Sequence, residues 1–208
     1  MQPDAFQIGS LTVHWYGVFV ALGFLTGLWN ASRRATKVGI EPEKVFDVGT
    51  WLIVGGILGG RIFHVVTYWE QSYAGKPVWE IFAIHRGGLV YYGGLIGATL
   101  AGIFYARRKK LPVWKLADIL APSLALGYAI GRIGCQVSGD GDYGRAWDGP
   151  WAMGYPHGTV PTAPGVTVHP TPIYETLVMG LVAYVLWQLR DRVRPGVLFA
   201  LYLVIAGT

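Results

Sequence analysis

Charged residues in this chain come in bunches, and between the bunches run stretches of about twenty residues with almost no charge. That pattern narrows the available folds sharply. A run of about 18 or more mostly apolar residues can span a bilayer as a helix. Lipid offers no partner to an unpaired backbone group, so helices are what such runs form. Only 14% of the residues are charged and 52% are hydrophobic, whereas a soluble domain carries roughly a quarter charged residues. The runs place candidate spans at approximately 15–32, 47–68, 88–106, 116–135, 172–189 and 195–208. The expected fold is an all-α polytopic membrane protein, a bundle of about six transmembrane helices forming one domain over residues 1–208.

Basic residues set the expected orientation. Arg33, Arg34, Lys37 and Lys44 follow the first span, Arg107, Arg108, Lys109, Lys110 and Lys115 follow the third, and Arg190, Arg192 and Arg194 follow the fifth. The loops on the other side hold only Lys76, Arg86 and Arg145. Basic loops stay cytoplasmic, which puts the N-terminus and the polar loop 136–171 outside. The net charge of +5 therefore reports topology, and no nucleic-acid partner is expected. Met1 to Ser10 contain no lysine or arginine, so the first apolar run reads as a retained span and not as a signal peptide. The last span stops at Ala206-Gly207-Thr208 without a polar flank, which favours a truncated chain. The single cysteine, Cys135, excludes an internal disulfide and a multi-cysteine metal site.

The 30 glycines concentrate in the spans. Gly55-Gly56 and Gly59-Gly60 make a small-xxx-small pattern that lets helix backbones approach. Gly87-Gly88, Gly93-Gly94 and Gly97 are denser than packing needs, and mark either a broken helix or backbone that meets a ligand. Charges inside the spans point to function or to pairing. Arg61 lies in the second span, Arg132 near the outer end of the fourth and Glu175 near the outer start of the fifth. Glu175 either pairs with one arginine or belongs to a site. Two arginines facing one acid leave positive charge in excess, which a lipid phosphate would neutralise, and arginine suits phosphate through its planar fork of donors. The loop Ser138-Gly139-Asp140-Gly141-Asp142-Tyr143-Gly144-Arg145 is acidic and flexible; it lacks the terminal glutamate of a calcium loop and reads as an ordinary turn-rich loop. His14, Tyr16, Tyr91, Tyr92 and His169 fall at the outer interface, where tyrosine is commonly a belt residue. His64 and His85 read as structural.

These motifs together resemble the prolipoprotein diacylglyceryl transferases. His14-Trp15-Tyr16-Gly17, Gly59-Gly60-Arg61, Gly87 to Gly97, Gly131-Arg132-Ile133-Gly134 with Gly139 and Tyr143-Gly144-Arg145, and His169-Pro170-Thr171 with Tyr174-Glu175 follow the family's order over nearly the whole chain. The resemblance implies an enzyme of the bacterial inner membrane with its active site toward the outer leaflet. It moves the diacylglyceryl group of phosphatidylglycerol to the lipobox cysteine of a prolipoprotein signal peptide and releases glycerol phosphate. It implies no metal and no cofactor. The catalytic residues it implies are Tyr92, Tyr16 and Arg132. Its phosphatidylglycerol contacts are Arg132, Arg61, Gly93, Gly94, Gly144, His169, Tyr174 and Glu175. Arg132 holds the phosphate, Tyr16 and Tyr92 orient the headgroup or assist proton transfer, Glu175 and His169 organise the outer mouth, and Arg61 supports the bundle interior. The chain departs from the family at Tyr92, where a histidine is expected, and at Cys135, where an asparagine is expected; its loop to Gly144 is one residue longer. The family's remaining arginine and last span would fall past Thr208. Two other readings stay open: a non-catalytic phospholipid-binding relative, motivated by those departures, and a small transporter, against which stand the absence of an internal repeat and the gathering of polar groups at one interface.

Overall fold

The computed structural model describes residues 3–9, 11–84 and 87–207; the reading of His85 as structural lies outside them. Six α-helices follow one another among the described residues: α1 Trp15–Ala35, α2 Pro42–Thr67, α3 Tyr91–Arg108, α4 Val113–Ser138, α5 Thr171–Leu189 and α6 Val197–Ala206. Each falls on one of the expected spans. Three of them, α2, α4 and α5, with 26, 26 and 19 residues, are long and apolar enough to cross a membrane, and α6 is a shorter apolar helix. The helices leave large apolar side chains uncovered. Val66, Leu177 and Leu25 are 74%, 67% and 64% exposed, a surface that water would penalise and lipid tails accept.

The helix ends shift from the apolar runs for local reasons. Pro42 at the first helical position presets φ, so α2 begins one polar turn before its apolar run. Gly87 and Gly88 hold φ of +83° and +79°, which stops the third helix from starting before Tyr91. Gly196, at φ +95°, sets the start of α6. The all-α expectation needs one addition: β1 Asp4–Ile8 and β2 Leu11–His14 form a two-stranded antiparallel ribbon ahead of α1. It is closed at its end by His14 Nδ1 at 2.7 Å from Asp4 Oδ1.

The chain falls into two compact units. One comprises Met1–Arg34 and Ala117–Thr208, the other Ala35–Leu116. In the second unit, α2 and α3 meet through glycine. A Cβ on Gly55 would lie 2.5 Å from the Ala101 Cβ, and one on Gly93 would lie 2.5 Å from the Gly59 carbonyl oxygen. The small-residue pattern of the second span is thus a packing seam, extended by Gly93 and Gly97 of the third. Tyr105 on α3 donates its hydroxyl to Asp47 on α2 at 2.5 Å. In the first unit, α1 approaches α4 where a Cβ on Gly23 would meet the Gly127 oxygen at 2.8 Å, and α1 also meets Gly134, whose Cβ would lie 2.9 Å from that of Phe19. On another face of α4, Ala121, Ala125 and Ala129 form a ridge against Met179, Val182, Ala183 and Leu186 of α5 and Leu198 of α6. The start of α6 docks on Asp118 of α4, whose carboxylate accepts from the backbone amides of Gly196 and Phe199 at 2.6 and 3.0 Å.

Candidate functional site

Residues 128, 132 and 135 lie on one face of α4 because they are four and seven apart. Arg132 is nearly buried, its side chain 14% exposed, and it faces two carboxylates. One terminal nitrogen donates to Asp142 at 2.5 Å and lies 3.5 Å from the Cys135 sulfur; the other donates to Glu175 at 2.9 Å. The Nε–H is buried with no hydrogen-bond partner among the described residues. Glu175 reaches Arg132 because α5 begins at Thr171, with Pro172 in its first turn. Its second oxygen accepts the Tyr128 hydroxyl at 2.5 Å.

This geometry corrects the charge argument drawn from sequence. Positive charge is not in excess at Arg132: one guanidinium stands between two carboxylates, a formal surplus of one negative charge. Arg61, the other arginine of that argument, belongs to the second unit and is committed elsewhere. It is 7% exposed and donates to the carbonyls of Glu80, Ile81, Gly87 and Gly88 at 2.7–3.1 Å, with its guanidinium over the Tyr73 ring. It nails down the segment leading to α3. His64 assists, with Nδ1 at 2.9 Å from the Tyr73 hydroxyl.

The loop after α4 is also more ordered than its glycines imply. Tyr155 is fully buried, stacks on Tyr143 at 3.9 Å between ring centres and donates its hydroxyl to Gln136 at 2.9 Å. Burial pushes both phenols above their ordinary value, so they stay protonated donors. The Asp142 carbonyl accepts the Thr171 hydroxyl, which ties the acidic stretch to the start of α5. Gly144 accepts no side chain: a Cβ there would lie 2.7 Å from the His169 Cβ. His169 lies flat on Trp147 at 4.2 Å, and its Nδ1 is 3.1 Å from the Tyr174 hydroxyl, which also accepts from Trp151 at 2.7 Å. The expectation of a flexible, ordinary loop gives way to a packed cap with its own small core.

Within the first unit, then, the fold brings Arg132 to Glu175, and His169 to Tyr174 and Gly144. Tyr16 sits in the first turn of α1, half exposed, with its backbone 3.4 Å from where a Gly134 Cβ would stand. Tyr92, Arg61, Gly93 and Gly94 belong to the second unit. There Tyr92 is 70% exposed beside Tyr91, while Gly93 and Gly94 face α2. Asp142, Tyr128, Trp147 and Trp151 escaped the sequence reading as site neighbours. Tyr128 carries a legible signal, one helical turn before Arg132; Asp142 lies in a stretch that reads from sequence as an ordinary turn-rich loop. The Cys135 sulfur and oxygens of Asp140 and Asp142 do lie within 4.8 Å of one another, and the cation that meets this group in the structure is the Arg132 guanidinium.

A partly buried arginine bridges a helix-borne and a loop-borne acid, and known proteins show which family the chain resembles. A family model described as prolipoprotein diacylglyceryl transferase matches residues 3–208. A phosphatidylglycerol–prolipoprotein diacylglyceryl transferase of Synechococcus elongatus is 37% identical over 97% of this chain and 72% of its own length. The enzymes so named from Chromohalobacter salexigens and Geobacter sulfurreducens are each 36% identical, over 99% and 100% of this chain and 75% and 78% of theirs. The chain belongs to the prolipoprotein diacylglyceryl transferase family.

Proposed function

We propose that this protein transfers the diacylglyceryl group of phosphatidylglycerol to the lipobox cysteine thiol of a prolipoprotein. The observation that carries the reading is Arg132: a nearly buried guanidinium, in a member of this family, with one donor still unpaired. In the reaction the acceptor sulfur, as thiolate, attacks the glycerol carbon that bears the phosphate. A carbon–sulfur bond forms, the carbon–oxygen bond to phosphate breaks, and glycerol phosphate leaves with the electron pair. The thiol proton goes to a base. Arg132 faces the oxygen on which charge develops, where a preorganised donor contributes most.

The same reading places six spans in the bacterial cytoplasmic membrane, the N-terminus and the loop 136–171 outside, and the chemistry at the outer leaflet. The twelve basic residues in the three loops of the other side support that orientation. Glu175 and Tyr128 position the guanidinium, and His169 and Tyr174 form part of the outer cap. Tyr16 and Tyr92 carry over from the family resemblance as groups that orient the headgroup or accept the proton. A free phenol titrates near 10, so as a base it needs a neighbouring cation. Arg61, with four carbonyl contacts, is proposed to act through the segment it holds.

The test is a transfer assay with purified protein in phosphatidylglycerol-containing membranes and a lipobox peptide, with thioether-linked diacylglycerol read by mass spectrometry. Arg132→Ala is expected to cut the rate by roughly a hundredfold or more, the usual loss when a charge-stabilising donor goes. Tyr92→Phe decides whether the phenol replaces the family histidine. Phosphatidylglycerol binding without transfer in the wild-type chain would replace this reading with that of a lipid-binding relative, which the departures at Tyr92 and Cys135 motivate.

A further inference from the structure

Asp142 holds Arg132 at a point where, on the reading above, a lipid phosphate must bind. Its carboxylate and Glu175 differ in how they are kept. Glu175 lies on a helix, is 38% exposed and is fixed by a second contact, from Tyr128. Asp142 lies on the loop and is 59% exposed, and Arg132 is its carboxylate's partner among the described residues. Its main chain is secured independently, because the Thr171 hydroxyl donates to the Asp142 carbonyl. Gly139 and Gly141 on its N-terminal side adopt φ of +62° and +99°, turns that present Asp142 to Arg132. The carboxylate can thus swing off the arginine into solvent while the loop stays in place.

Electrostatics favour that movement when a further anion arrives. Arg132 with Asp142 and Glu175 is already one negative charge in surplus. A phosphodiester arriving with Asp142 in place would put three anions on one guanidinium. Carboxylate and phosphate oxygens compete for the same N–H donors. We propose that Asp142 is a built-in competitor of the lipid phosphate for Arg132, which occupies the guanidinium before phosphatidylglycerol enters and reclaims it as glycerol phosphate departs. This rests on the transferase reading for the identity of the phosphate. It makes Asp142 a positioning residue that sets headgroup affinity and product release.

The decisive comparison is between the wild-type chain, Asp142→Asn and Asp140→Asn. Asp140, an acid of the same loop, makes no ion pair with Arg132; its side-chain oxygen accepts the Asp142 N–H at 3.4 Å, an acceptor that asparagine keeps, so Asp140→Asn reports the general field of the loop. Asp142→Ser stands in should the asparagine variant not fold. Each protein goes into nanodiscs of phosphatidylcholine with a rising fraction of phosphatidylglycerol. Bound phosphatidylglycerol is counted by native mass spectrometry, and inhibition of transfer by added glycerol phosphate is measured alongside. For Asp142→Asn, the half-saturating phosphatidylglycerol fraction and the inhibition constant of glycerol phosphate are both expected to fall by about three- to fivefold, the scale of a partly exposed ion pair. Asp140→Asn should leave both near wild type. A merely structural Asp142 would weaken both or leave both unchanged, and either result overturns the proposal, as does an equal gain in Asp140→Asn. If the wild-type chain transfers no lipid, the transferase reading fails, yet tighter phosphatidylglycerol binding by Asp142→Asn still upholds the competitor. If neither protein binds the lipid, both ideas fall.

Discussion

Gly144 and His169 are in contact through main chain and side chain at once: the Gly144 amide donates to the His169 carbonyl at 3.0 Å, and a methyl group on Gly144 would strike the His169 side chain. Gly144→Ala is therefore expected to force His169 off its stack on Trp147, costing about 1–3 kcal/mol as other overpacked sites do. A lower thermal midpoint in detergent, with altered tryptophan fluorescence, would show it; an unchanged midpoint would mean the loop yields freely. At this scale the sequence was legible where a motif carried the residue, as for Arg132, Gly144, His169 and Glu175. It was not legible where a partner arrives from elsewhere. Nothing local tells that Asp142, ten residues on, folds back to Arg132, or that Trp147 and His169 stack across a loop.

Among the helices, α6 shows what apolarity alone cannot reveal. Its ten residues are apolar throughout, and its first-turn amides would lack acceptors without Asp118, which lies 78 residues before Gly196. Asp118→Ala should strip that remote cap and cost about 1–2 kcal/mol. Hydrogen exchange should then rise at Gly196 and Phe199 first, and exchange unchanged there would refute the cap. Asp118 stands inside the fourth expected span, yet sequence reasoning fixed on Arg61, Arg132 and Glu175, because only the fold shows which helix start an acid meets. The helices themselves were readable from the spacing of charge bunches. The starts of α2 and α3 were not, since Pro42 and the Gly87–Gly88 pair act on backbone angles and leave hydropathy unchanged.

For the molecule as a whole, orientation is the property with the widest reach, because it decides from which side substrate is met. With Cys135→Ser as background, cysteines placed at His157 and Lys109, both exposed positions, should react with an impermeant maleimide from opposite sides: His157→Cys in intact cells, Lys109→Cys only after lysis. Labelling of both in intact cells would overturn the proposed topology. The hold of Arg61 on four carbonyls between residues 80 and 88 bears on how the chain is born. While α2 is being synthesised those carbonyls do not yet exist, and an arginine within an apolar helix weighs against entry into the bilayer, by up to about 2.5–3.5 kcal/mol at a helix centre. The arginine finds its acceptors only when the segment before α3 has emerged. The second and third helices are thus best released into lipid together, as a hairpin, with Arg61 the catch that keeps the first arm waiting for the second.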